Sequence, residues 1–130
     1  MLVVEDDPLV RLTDVDILED AGYEVLEAHD AEEALTILGH RSDVGVVLTD
    51  IQMSGSLDGL ALAWRIRERL PWIGLVLTSG GRSIVQSSMP REGRFVQKPY
   101  AAATLVRRIA EVSPRRCPST NSCVRQVLSS

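Results

Sequence analysis

Apolar residues along the chain follow two rhythms: short continuous runs, and longer stretches that recur every three or four positions. Leu2, Val3 and Val4 form the first run, which ends in Glu5-Asp6-Asp7-Pro8. Asp7 before Pro8 is a helix-start signal, because a carboxylate caps free amides and proline fits the first helical position. Val10, Thr13, Ile17, Leu18 and Ala21 follow at helical spacing until Gly22 stops them. Tyr23 to Ala28 predicts a strand centred on Val25 and Leu26. Asp30-Ala31-Glu32-Glu33 is a capping-box variant that opens a helix through Leu35 and Leu38, ended by Gly39. Val44 to Thr49 is a continuous apolar run of the kind that forms a strand covered on both faces, and it stops at Asp50. Ser54-Gly55-Ser56 predicts a turn, and Asp58 to about Arg69 a helix around which Trp64 and Trp72 are expected to pack. After Pro71, the run Ile73 to Leu77 leads into Thr78-Ser79-Gly80-Gly81, in which the Gly80-Gly81 pair is a turn and not a phosphate-binding loop. Phe95-Val96-Gln97 predicts a short strand before Lys98-Pro99. Alanines 101–103 with Leu105, Val106, Ile109 and Val112 predict a last amphipathic helix.

Strand and helix therefore alternate along the chain, which predicts an α/β fold: a doubly wound parallel sheet with helices on both faces. The weakest element is the helix between the last two strands, because residues 80–93 are rich in Gly, Ser, Arg and Pro. A segment of low local stability just after Thr78 reads either as a bistable element or as a static irregular loop. Periodicity is lost from Pro114 onward. The organisation expected is one domain over residues 1–113 and a disordered tail over 114–130. A chain of 130 residues is ordinary for one domain, and seventeen tail residues are too few for a DNA-binding domain. The first run has almost no sequence ahead of it, as expected of a clipped or misassigned start.

Composition narrows the classes further. Hydrophobic residues at 45% and charged residues at 25% are those of a folded globular chain. No stretch approaches the roughly 20 apolar residues of a membrane span and no secretory segment opens the chain, so a cytoplasmic, membrane-free protein is expected. The net charge is −4, and it is distributed unevenly: residues 1–33 carry twelve acids and one base, Arg11. A globally acidic chain argues against direct nucleic-acid binding. Compositional bias accounts for thirteen arginines, but not for the survival of one lysine, Lys98. Cys117 and Cys123 read as free thiols in the tail, since two thiols with remote His29 and His40 do not make a zinc site.

Ligands of open α/β sheets bind outside the carboxyl ends of the strands. The residues at those ends are Glu5, Asp6 and Asp7 after the first strand, Asp50 after the third, Thr78 after the fourth and Lys98 after the fifth. Carboxylates about 4 Å apart repel by about 4 kcal/mol per pair at an effective dielectric of 20. Such a cluster needs shared protons or a divalent cation, and hard oxygen donors favour Mg²⁺ over zinc. Asp7 is already explained as a helix cap.

The segments Leu-Val-Val-Glu5-Asp6-Asp7-Pro, Val-Leu-Thr-Asp50-Ile-Gln-Met, Leu-Asp58-Gly59, Val-Leu-Thr78-Ser79-Gly and Phe95-Val-Gln-Lys98-Pro99-Tyr occur in the order, and with the residue types, of a response-regulator receiver domain, which residues 1–113 resemble. The resemblance implies a five-stranded flavodoxin-like sheet of strand order 2-1-3-4-5. It implies that Asp50 is the phosphoacceptor, that Glu5, Asp6, Asp50 and the main-chain carbonyl of Gln52 hold Mg²⁺, and that Thr78 and Lys98 bind the phosphoryl group. Phe95 stands at the aromatic switch position, and reads equally well as a core residue. The Lys98–Pro99 bond is expected to be cis. The implied partners are a sensor histidine kinase or histidine phosphotransfer protein and a downstream protein target, with the chain a monomer or weak dimer. It would be a signalling domain and not an enzyme beyond its own phosphorylation and dephosphorylation.

Two departures from the family pattern stand out. Ser54 replaces the usual proline, and the loop before Asp58-Gly59 is one residue longer. Neither removes a reacting group. The alternative reading is a pseudo-receiver that binds protein without being phosphorylated, against which the intact Asp50, Thr78 and Lys98 weigh. A dehalogenase-type phosphatase needs a second Asp where Gln52 stands, and no sequence cue supports a flavodoxin-like cofactor binder.

Overall fold

Parallel strands cannot be joined by tight hairpins, so each return must cross a face of the sheet and cover it. The computed structural model, which describes residues 1–51, 58–79, 90 and 93–113, has this arrangement. The strands β1 (Leu2–Val4), β2 (Leu26–Ala28), β3 (Val46–Asp50), β4 (Gly74–Ser79) and β5 (Arg94–Gln97) form one all-parallel sheet in the order β2-β1-β3-β4-β5. The helices among the described residues are α1 (Pro8–Asp20), α2 (Ala31–His40), α3 (Gly59–Arg69) and α4 (Ala102–Val112). None of them is long and apolar enough to cross a membrane. The Ser54-Gly55-Ser56 turn, Gln52, most of residues 80–93, and the tail with Cys117 and Cys123 lie outside the described residues.

The alternation of side chains along each strand divides the core in two. Leu2, Val4, Val47, Leu75 and Leu77 face α2 and α3, where Ala34, Leu38, Leu62 and Ile66 meet them. Val3, Val46, Leu48, Val76 and Val96 face α1 and α4, against Val15, Leu18, Leu105 and Ile109. Each fully buried Leu or Ile is worth about 1.5–3 kcal/mol over leaving it exposed. All residues of β3 and β4 are buried, as a strand covered on both faces requires.

The helix starts follow the sequence signals. Asp7 caps α1 by accepting from Leu9 N (2.9 Å) and Val10 N (3.4 Å), with Pro8 at its first position. Asp30 accepts from Glu33 N at 2.8 Å and Asp58 from Ala61 N at 2.8 Å. Several boundaries differ from expectation. Strand β2 spans only Leu26–Ala28, because Tyr23 N still bonds back to Leu18 O (3.1 Å) in the turn leaving α1, and its partner β1 is itself three residues long. Helix α2 runs through Gly39 to His40, while Gly22 does break α1, at φ +98°. Strand β4 continues through Thr78 and Ser79. The buried face of α1 is Asp14, Val15 and Leu18; Thr13 and Ala21 are exposed. Trp64 and Trp72 are 42% and 61% exposed, because α3 turns Leu62, Ala63 and Ile66 to the core and Trp64 falls outside that stripe.

Two glycines give opposite expectations. A Cβ on Gly74 would run into the main chain and side chain of Val112, where the end of α4 lies on the start of β4; around Gly39 nothing lies within 4 Å. Gly74→Ala should cost about 1–3 kcal/mol, and Gly39→Ala should add about 0.5–1 kcal/mol through helix propensity. Urea denaturation with an unchanged slope checks both.

Candidate functional site

Strand β1 stops after Val4, and the next three residues turn toward α1 at the carboxyl edge of the sheet. Glu5 N donates to Ala28 O at 3.0 Å, which keeps Glu5 in line with β2 for one residue more. Arg11, one turn into α1, donates from Nη1 to Glu5 O (2.7 Å) and from Nε to Glu27 Oε1 (3.2 Å). The Glu5 carboxylate is buried and accepts Asp7 N at 3.2 Å through Oε2. The Asp7 carboxylate itself is committed to the helix cap.

Asp50 is the last residue of β3 and lies in register with Thr78 of β4; both are buried. Ile51 N donates to Thr78 O (2.8 Å), and Gly59 N to Ile51 O (3.0 Å). A Cβ on Gly59 would overlap the carbonyl of Asp50, so only glycine lets α3 start this close to the strand end. Lys98 extends β5 by one hydrogen bond, its N donating to Ser79 O at 2.9 Å, and the Lys98–Pro99 bond is cis.

The side chains meet at the β1/β3 crevice, where the strand order reverses. One carboxylate oxygen from each of Glu5, Asp6 and Asp50 lies within 4.8 Å of the others. Lys98 Nζ donates to Asp50 Oδ2 at 2.8 Å and to Glu5 Oε1 at 3.0 Å. Burial pushes the Glu5 carboxyl above its ordinary pKa, and the Asp50 charge adds to this, while the Lys98 and Asp7 hydrogen bonds oppose it. Burial alone would lower the Lys98 ammonium; its hydrogen bonds to Asp50 and Glu5 outweigh that and hold it above the usual lysine value. Three hard oxygen donors converging on one point fit a small divalent cation.

Lys98 thus bridges Glu5 and Asp50, the Asp6 carboxylate stands alongside, and Thr78 is one strand over. Phe95 lies opposite Leu77 on β5, half-buried against the core cluster of α2 and α3. Gln52 falls outside the described residues. Sequence reasoning missed a neighbouring pair: Tyr100 Oη donates to Asp14 Oδ1 at 2.6 Å, joining the loop after Lys98 to α1. Asp14 is only 3% exposed. Asp14 stands four residues after Val10 and four before Leu18, beside apolar positions, a spacing that singles out the acid but does not name its partner or the face that is buried. Burial raises the pKa of both groups, and the Asp14 bond raises Tyr100 further while the Tyr100 bond opposes the rise of Asp14.

A family model described as response regulator receiver domain matches residues 1–110. The chain is 34% identical over 110 residues to the nitrogen assimilation regulatory protein NtrX of Azorhizobium caulinodans, covering 82% of this chain and 24% of that protein. It is 30% identical over 116 residues to the sensor kinase CckA of Brucella abortus, covering 86% of this chain and 12% of that one. It therefore spans a minor part of these relatives. Among solved structures, the receiver domain of NtrX from Brucella abortus matches with a TM-score of 0.78 and 35% identity over 85% of this chain and 95% of that one.

The buried Asp14 gives a pH expectation. Its folded pKa is raised, so its contribution to stability is full below the unfolded value and is lost as pH rises through the folded one. Asp14→Asn keeps an acceptor for Tyr100 and removes that loss. The stability of the variant relative to the native chain should rise from pH 4 (roughly the unfolded value) toward neutrality, as read by urea denaturation across pH. A pH-independent difference would contradict the assignment.

Proposed function

The chain belongs to the response regulator receiver domain family, and from that premise we propose that Asp50 accepts a phosphoryl group from a phosphohistidine on a sensor kinase or phosphotransfer protein. The observation that carries this is the single ammonium of Lys98 bridging Asp50 and Glu5 at 2.8 and 3.0 Å, at a sheet edge with a third acid alongside. Glu5, Asp6 and Asp50 would hold Mg²⁺, and the family resemblance adds the main-chain carbonyl of Gln52 as a donor. When bound, the cation offsets the repulsion between the carboxylates and an incoming anion.

Phosphoryl transfer has a loose transition state, so the protein's work is positioning and charge stabilisation. The backbone around Asp50 is fixed by the β3–β4 ladder and by the close approach of Gly59. An Asp50 carboxylate oxygen bonds to phosphorus as the phosphorus–nitrogen bond of the donor breaks. The Lys98 ammonium, already hydrogen-bonded to Asp50, stays in reach of the new phosphoryl oxygens. The Thr78 hydroxyl, one strand away, is drawn to those oxygens. The end of β4 moves with it, and the surface that a downstream protein reads, including Phe95, changes with that movement. Water then removes the labile acyl phosphate.

Incubation with acetyl phosphate and Mg²⁺ should add about 80 Da, one phosphoryl group, and Asp50→Asn should abolish the adduct because an amide is not a nucleophile. A native chain that takes no adduct would be a protein-binding module that is never phosphorylated.

Mg²⁺ should also raise thermal stability, by about 2.7 kcal/mol at a hundredfold excess over its dissociation constant. Asp6→Ala should remove most of this shift in a thermal melt. An unchanged response would put the cation elsewhere on the acidic first third of the chain.

A further inference from the structure

Lys98 has a long side chain with four freely rotating torsions, and fixing such a side chain costs about 1.5–2 kcal/mol of rotamer entropy. Its ammonium nevertheless stands between two carboxylates. What fixes the main chain beneath it is therefore part of the site. On the β5 side this is the bond from Lys98 N to Ser79 O. On the other side, the segment Lys98–Tyr100 faces the first turns of α1 across an open groove of about 510 Å³, bordered by Leu9, Val10 and Thr13. The Tyr100 ring is half-buried against the core between α1 and α4, but packing does not close the groove beside Lys98 and Pro99. The Tyr100–Asp14 hydrogen bond, at 2.6 Å, crosses that gap.

The choice of residues is costly for a purely structural tie. A carboxylate 3% exposed, on a helix face shared with Val15 and Leu18, is expensive to bury unless it is hydrogen-bonded. Asp14 is also near enough to Lys98 and Asp50 for both charges to act on its carboxyl, in opposite directions. Burial and the Asp14 bond keep the Tyr100 phenol protonated well above neutral pH, so it stays a donor.

We infer that Asp14 and Tyr100 are positioning residues, a strut from α1 that sets where the Lys98 ammonium stands relative to Asp50 during phosphoryl transfer. The inference rests on the phosphoacceptor reading above. It has a test that does not depend on that reading, because Lys98 is the only lysine among 130 residues and lysine-selective ¹³C labelling yields one side-chain Cε resonance.

In the metal-free full chain, Tyr100→Phe, which removes only the hydroxyl, and Asp14→Ala should shift and sharpen that resonance as the side chain begins to average over rotamers. Asp14→Asn, which retains an acceptor oxygen, should leave it near the native position. With Mg²⁺ and acetyl phosphate, Tyr100→Phe and Asp14→Ala should slow modification of Asp50 roughly threefold to tenfold, the kinetic equivalent of one net hydrogen bond. Asp14→Asn should restore most of the rate.

An unmoved Lys98 resonance in folded Tyr100→Phe overturns the strut even if stability falls, since the pair would then be a structural tie only. A moved resonance with an unchanged rate, in a native chain that is phosphorylated, overturns it as well. A native chain that takes no phosphoryl group refutes the phosphoacceptor reading, and the resonance still decides the strut. If Asp14→Ala fails to fold, Tyr100→Phe decides alone.

Discussion

Three carboxylates with oxygens inside 4.8 Å of one another, two of them on buried residues, would force the edge of the sheet apart if their charges met nothing. The Lys98 ammonium meets two of them, and on Glu5 a main-chain donor shares the load. Glu5 is held by Asp7 N, and its carbonyl by Arg11. Removing one member of a buried ion pair leaves the other uncompensated, which costs more than the pair itself contributes. The cluster is therefore a unit, and its members come from the ends of β1, β3 and β5. No contiguous fragment of the chain contains it.

That dependence runs back into the fold. Parallel pairing of β1 with β3, Val4 opposite Thr49, brings Glu5 and Asp50 to the same level. Pairing of β3 with β4 puts Thr78 beside Asp50, and pairing of β4 with β5 carries Lys98 to the same edge. A slip of one residue in any of these ladders would also turn the slipping strand's buried side chains to the wrong face, Leu75, Val76 and Leu77 in the case of β4, so the hydrophobic pattern and the site are fixed by the same register. Gly59 adds a steric condition, because any side chain there would push α3 off the backbone of Asp50.

The site is also joined across layers. Arg11 ties α1 to β1 and β2, and Tyr100 ties the loop after β5 to the same helix. Helix α1 thus touches both the acidic and the basic side of the crevice. Its exposed face carries Leu9 and Leu12, 76% and 57% exposed, and Leu9 borders the groove beside Lys98. Small displacements of α1 would be felt at Glu5 and at Lys98 together, since packed elements shift as units.

The order of strands and helices was legible in the sequence, because periods of two and about 3.6 and the capping residues Asp7, Asp30 and Asp58 are local properties. So were Glu5, Asp6, Asp50, Thr78 and Lys98 as candidates, because residues at the carboxyl ends of parallel strands must share one edge whatever the loops do. The lone lysine among thirteen arginines was visible as an anomaly of composition. Tertiary structure decided the rest. It selected Asp14, Val15 and Leu18 as the buried face of α1 over the stripe through Thr13, because the face that is buried depends on where α4 and Tyr100 lie. It left Trp64 and Trp72 at the surface, cut β2 to the length of its partner, and set Gly59 against Asp50. Each of these outcomes depends on a contact between residues distant in sequence, and hydrophobic spacing within one element carries no information about such contacts.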